Sequence, residues 1–105
     1  MSADSRRSGG RGGDERTLHV SVISPTTAAF EGTGESVVAP AHDGKVGILY
    51  DHAPMMVLLG EGELAVRSEG RTHRFRVSRG FLQVVDNEVS VLAEKVETVD
   101  QGETT

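Results

Sequence analysis

The chain has 105 residues, 11 Lys and Arg against 16 Asp and Glu for a net charge of −5, and no cysteine. At roughly 100–200 residues per domain that length supports one domain, which excludes a two-domain enzyme. The acidic balance argues against a cationic nucleic-acid binder, and the missing thiols exclude disulfides and thiolate metal sites.

Residues 1–17 are rich in Gly, Ser and Arg, with only Met1 and Ala3 apolar, and read as a disordered tail. Residues 97–105 read as a flexible C-terminal tail, with Val99 as their only apolar side chain. The folded domain is expected over 18–96. Those 79 residues are near the lower limit for a self-sufficient core, so the domain is expected to lean on partners.

Within 18–96 the dominant period is two. Leu18, Val20 and Val22 alternate with His19, Ser21 and, less cleanly, Ile23. Ser24-Pro25 marks a turn, and the glycines from Gly32 to Gly34 mark another. Asp43-Gly44 is a tight-turn signal, followed by the segment up to Tyr50 and a loop from Tyr50 to Pro54. The run Met55-Met56-Val57-Leu58-Leu59 is far short of the ~20 residues of a membrane span. Turn signals then recur at Gly60-Glu61-Gly62, Glu69-Gly70, Gly80 and Asp86-Asn87. Between them, Phe75 and Val77, then Val89, Val91 and Ala93, alternate with polar neighbours. Only Val91 to Val99 has any helical spacing, and it is weak. Short strands separated by frequent turns predict an all-β sandwich or barrel.

Motifs for chemistry are scarce. Gly44-Lys45 lacks the upstream glycine and the following Ser or Thr of a phosphate loop. His42, Asp43, Asp51 and His52 flank one short segment, and a hairpin that joined them would make a nitrogen and carboxylate metal set, though they match no ligand spacing. No serine lies in a nucleophile elbow. Five arginines fall between Arg67 and Arg79, but base stacking needs aromatics on the same strand face, and Phe75 alternates to the other side. The arginines read as a solvated strand face. No catalytic residue, metal ligand or cofactor site is predicted. The residues alone describe a free-standing β-sandwich binding module.

The order of particular residues adds to this. Ser24-Pro25 with Phe30-Glu31-Gly32, then Val37-Val38-Ala39-Pro40, Asp43-Gly44-Lys45-Val46-Gly47-Ile48-Leu49 and His52-Ala53-Pro54, form a collinear set. It continues through Gly62, Val77-Ser78-Arg79-Gly80-Phe81-Leu82, Asn87 and Val89-Ser90-Val91-Leu92-Ala93-Glu94. Over about Leu18 to Val96 the chain resembles the N-terminal domain of the epsilon subunit of F-type ATP synthases. The resemblance implies a flattened sandwich of about ten strands and a non-catalytic role in the central stalk. There the domain couples rotation of the membrane c-ring to the catalytic head through gamma, as a peripheral part at the cytoplasmic face of a bacterial membrane. It implies that Asp43, Gly44, Lys45, Val46 and Gly47 face the c-ring, and that Ser24 and His52 lie near gamma. Lys45 stands where relatives are often acidic, Asp51 where a small residue is common, and Arg79 where glycine is common. The helical hairpin that continues many family members has no counterpart before Thr105, so inhibition through such a hairpin is not expected.

Overall fold

The alternating runs become strands. The computed structural model describes residues 16–99. The tails expected at the two ends fall largely outside them, at 1–15 and 100–105. Eight strands follow in order: β1 (Leu18–Ser24), β2 (Thr27–Gly34), β3 (Ser36–Ala41), β4 (Gly44–Leu49), β5 (Met55–Leu59), β6 (Gly62–Ser68), β7 (Arg71–Val85) and β8 (Glu88–Thr98). The weakly helical stretch after Val91 is therefore strand, held by pairs such as Val77↔Val96 and Phe75↔Thr98.

All eight strands belong to one sheet, ordered β2-β1-β8-β7-β5-β3-β4, with β6 bridging β3 and β7. The sheet folds over on itself, because β7 and β8 run through both layers. The first half of β7 pairs with β6 (Gly62↔Val77 to Ser68↔Arg71), and the second half pairs with β5 (Met55↔Val84 to Leu59↔Gly80). One layer holds β2, β1, β5 and the adjoining halves of β8 and β7; the other holds β6, β3, β4 and the remaining halves. Counting each half of the two long strands separately recovers the ten expected.

The corner lies at Arg79 and Gly80. Phe75 and Val77 point into the core before it, and Leu82 and Val84 after it, so the alternation changes phase. β8 changes phase opposite, between buried Ala93 and Val96, which packs on the core. The ladder skips one step there, passing from Ser78↔Lys95 to Gly80↔Ala93. Gly80 is sterically fixed: an added Cβ would stand 1.9 Å from Leu92 O and 2.6 Å from Ala93 Cα. Arg79 takes φ 55°, a left-handed conformation that costs a residue with a Cβ about 1–2 kcal/mol.

Like Gly80, which lies within β7, two further expected turns prove to be something else. Gly32 to Gly34 lies inside β2, where a Cβ on Gly34 would stand 3.2 Å from Val66 Cγ1; the glycine admits close packing of β2 on β6. Gly60-Glu61 is a jog between two strands that run collinearly along β7, not a reversal. The two-residue reversals among the described residues are Pro25-Thr26, His42-Asp43, Glu69-Gly70 and Asp86-Asn87, and the last two stand apart (φ 53° and 77°, and 51° and 63°). Both have positive φ at each position, the twist that suits a hairpin.

The core fills the space between the layers with buried side chains, chiefly valine and leucine and Ile48 from β4, drawn from every strand except β2. Leu18, Val20 and Val22 of β1 meet Val37 and Ile48, Leu64 and Val66, Leu82 and Val84, and Val89 and Val91, all at 1% exposure or less. Phe30 of β2 closes one side, its ring 6.2 Å from that of Phe75.

Candidate partner-binding site

The β3–β4 hairpin presents the first predicted group. Its tip is His42 and Asp43, and Gly44 follows at φ 137° as the first residue of β4. Two backbone bonds fix the tip against the jog: His42 N–H donates to Leu58 O (3.2 Å) and Gly60 N–H to Pro40 O (2.7 Å). Lys45 is exposed opposite Pro40, Val46 packs on the core, and Gly47 has open space where a Cβ would be. β4 ends the sheet order, so one backbone edge of this segment has no strand beside it among the described residues.

Ser24 ends β1 and is 8% exposed, its hydroxyl directed to Thr27 O at 3.4 Å. His52 lies in the β4–β5 loop, where its N–H donates to Leu49 O (3.1 Å) and its Nδ1 to Ala53 O (2.8 Å). Asn87 braces that loop: Oδ1 accepts from Asp51 N–H at 2.5 Å, while Asn87 O accepts from His19 N–H at 2.8 Å. His52 therefore sits near the start of β1 and Ser24 at its end, about 20 Å apart at a strand's rise per residue. The structure does not bring the two together. It does set Ser24 at the corner end of its layer, the end to which β5 and the jog also bring the hairpin tip.

Beside Ser24 lies a feature that alternation alone does not reveal. Ile23 pairs with Leu92, Leu92 with Phe81, and Phe81 with Leu58, so four apolar side chains form one row across four strands. The row faces outward: Leu58 is 68% and Leu92 40% exposed, with Met56 beside it at 64%. A groove of about 350 Å³ opens at its Ser24 end, lined by Ile23, Pro25, Phe81 and Leu92 and edged by Arg79 and Glu94. The sequence signal was there as apolar doublets that break alternation: Val22-Ile23, Leu58-Leu59, Phe81-Leu82 and Val91-Leu92. In each doublet one residue is buried and its neighbour joins the row.

The arginines behave as a solvated face. Arg67 meets Glu35 and Arg74 meets Glu63, each at 3.7 Å, and Phe75 is buried among core residues. Exposed pairs of this kind are worth well under 1 kcal/mol each, but they neutralise the cluster locally. The histidine and aspartate pairs do not converge. His42-Asp43 and Asp51-His52 occupy opposite ends of β4, so the hairpin separates the two pairs.

A sheet folded over a packed valine and leucine core is a domain of the β-sandwich class. Residues 17–99 match the model of the ATP synthase delta/epsilon chain β-sandwich domain. The chain belongs to that family. It is 40% identical over 89 residues to the ATP synthase epsilon chain of Synechococcus sp. (strain JA-2-3B'a(2-13)), covering 82% of this chain and 65% of the relative. It is 42% identical over 77 residues to that of Leptospira borgpetersenii serovar Hardjo-bovis (strain JB197), covering 73% and 61%. The chain thus spans a little under two thirds of the length of these relatives. The fold is similar to a chain in the Euglena gracilis mitochondrial ATP synthase OSCP/F1/c-ring structure, with a TM-score of 0.77 at 17% identity over 98% of this chain and 71% of that one. It is also similar to a chain in the Tetrahymena thermophila mitochondrial central stalk and c-ring structure, with a TM-score of 0.64 at 16% identity over 75% and 64%.

Proposed function

We propose that the chain is a non-catalytic subunit of the central stalk of a proton-translocating F-type ATP synthase, passing c-ring rotation to the catalytic head through gamma. Family membership supports the assignment. The observation that carries the mechanism is the outward row Ile23, Leu92, Phe81 and Leu58 on a sheet whose two layers share the backbone of β7 and β8. A part that transmits torque has to grip its neighbours and resist deformation; it performs no bond chemistry. Grip comes from desolvating apolar side chains at the centre of an interface. Stiffness comes from a core packed to crystal-like density, which deforms little under load.

In this reading gamma covers the apolar row, with Ser24 beside Ile23 and His52 at the opposite end of the same layer, and the hairpin segment Asp43 to Gly47 meets the c-ring. Lys45 gives that contact a positive charge, which calls for an acidic residue in the facing c-ring loop, because like charges across an interface cost affinity. The subunit acts at the cytoplasmic face of a bacterial membrane, held there through the complex.

The test is co-expression with the gamma subunit of the same synthase. The wild-type chain is expected to co-purify with gamma, and the Leu58→Thr/Leu92→Thr variant to lose gamma while keeping its thermal midpoint. Threonine keeps strand propensity on the outer face, so loss of binding reports the row and not the fold. A wild-type chain that stays monodisperse and ignores gamma at micromolar concentration would overturn the assignment in favour of a free-standing binding module.

A further inference from the structure

Arg79 occupies a position that the fold itself does not explain. Among the described residues, five others than glycine have positive φ; Asp51, Glu69, Asp86 and Asn87 lie in turns or loops, and Arg79 alone lies inside a strand. The corner there already has its sterically required glycine in Gly80. A glycine at 79 would make the same bend without strain. The side chain returns little within the chain. It is 78% exposed, and its nearest carboxylate, Glu94 Oε1, is 3.9 Å away on a side chain itself 69% exposed. Strain kept without an internal return points to a role outside the chain.

Its surroundings indicate which role. Arg79 edges the groove lined by Ile23, Pro25, Phe81 and Leu92, at the end of the apolar row. A guanidinium fork beside an apolar slot suits a carboxylate held next to an apolar anchor, since its donors match both carboxylate oxygens. We propose that Arg79 is a specificity contact, receiving a carboxylate of the stalk partner whose neighbouring apolar side chain enters the groove. The inference rests on the stalk assignment above and names the chemistry of that partner's contact surface: an acidic residue next to an aliphatic or aromatic one.

The experiment uses the full chain with gamma of the same synthase, comparing wild type, Arg79→Gly, Arg79→Asn and Arg79→Lys. Glycine and asparagine accept the left-handed conformation and remove the charge; lysine keeps both the charge and the strain. Arg79→Gly is expected to raise the thermal midpoint by about 4–8 °C. It is expected at the same time to weaken gamma binding about fivefold or more and to flatten its dependence on salt. Arg79→Asn should follow Arg79→Gly in binding, and Arg79→Lys should retain the salt dependence with part of the affinity. A merely structural role moves stability and affinity in the same direction. If Arg79→Gly binds gamma as tightly as wild type with the same salt slope, Arg79 makes no such contact and the inference falls, with the stalk assignment intact. If the wild-type chain itself does not bind gamma, both fall.

Discussion

Gly80→Ala tests the corner on which the layered architecture depends. The new methyl carbon would stand 1.9 Å from Leu92 O, 2.8 Å from Leu92 C and 2.6 Å from Ala93 Cα. All three are backbone atoms of β8, so no rotamer change relieves the clash; the two strands have to part. Parting them disturbs the adjacent pairs Gly80↔Ala93 and Phe81↔Leu92. Overpacking a tight site costs about 1–3 kcal/mol, and each weakened ladder bond about 1 kcal/mol more, giving roughly 3–5 kcal/mol. Against a total stability of about 5–15 kcal/mol that is a large fraction. For a domain of this size it corresponds to a fall of about 12 °C or more in thermal midpoint. Far-UV circular dichroism melts of wild type and Gly80→Ala read it directly. Gly47→Ala is the control, because a Cβ there meets open space and Gly47 has no positive φ; it is expected to be neutral or to stabilise by up to about 1 kcal/mol. A Gly80→Ala midpoint within 3 °C of wild type, on the order of 1 kcal/mol or less, would refute the corner argument.

Other outcomes follow from the same geometry. Leu82→Ala removes a fully buried side chain and should lower stability by about 2–5 kcal/mol in a urea titration with an unchanged m-value. Asn87→Ala loses both a residue suited to φ 63° and the acceptor for Asp51 N–H, and should cost about 1–2 kcal/mol. Asn87→Gly should recover the backbone part only, so that the Asp51 amide exchanges faster than in wild type by NMR while the midpoint stays closer to it. Lys45 lies on an exposed edge, so Lys45→Glu should leave stability within about 0.5 kcal/mol of wild type; under the proposed stalk role it should also change retention by the c-ring.

Much of the fold was legible because each alternating run has one answer about which side faces the core. Leu18, Val20 and Val22, or Val89, Val91 and Ala93, have no other way to bury their apolar faces. The two reversals at Glu69-Gly70 and Asp86-Asn87 were legible because Gly70, Asp86 and Asn87 are residues that accept positive φ, Glu69 alone adopting it at a cost. Gly60 and Gly80 misled because a glycine signals a backbone need without saying which one. Gly60 serves a jog, where a Cβ would come within 3.0 Å of Ala41 O, and Gly80 serves a bend within a strand. Both depend on strands far away in sequence. The candidate site divides along the same line. Ser24 and His52 were named from the order of residues, and nothing local told that they lie at opposite ends of one layer. The row beside Ser24 needs the register of four strands, since its members lie as far apart in the chain as Ile23 and Leu92.

The parallel pairing of β1 with β8 has a consequence for how the molecule is made. His19 pairs with Glu88 and Ile23 with Leu92, so the first of the eight described strands completes its ladder only with the eighth. Pairings this distant are slow to form, because loop-closure entropy is lost before the contacts are gained. On the ribosome, β1 and β2 can form a hairpin early, but the edge of β1 and half the core stay open until β8 emerges. During that interval Val20 and Val22 have no β8 partner and the nascent chain is exposed to aggregation. A stop codon anywhere before Leu92 should yield insoluble chain rather than a smaller domain.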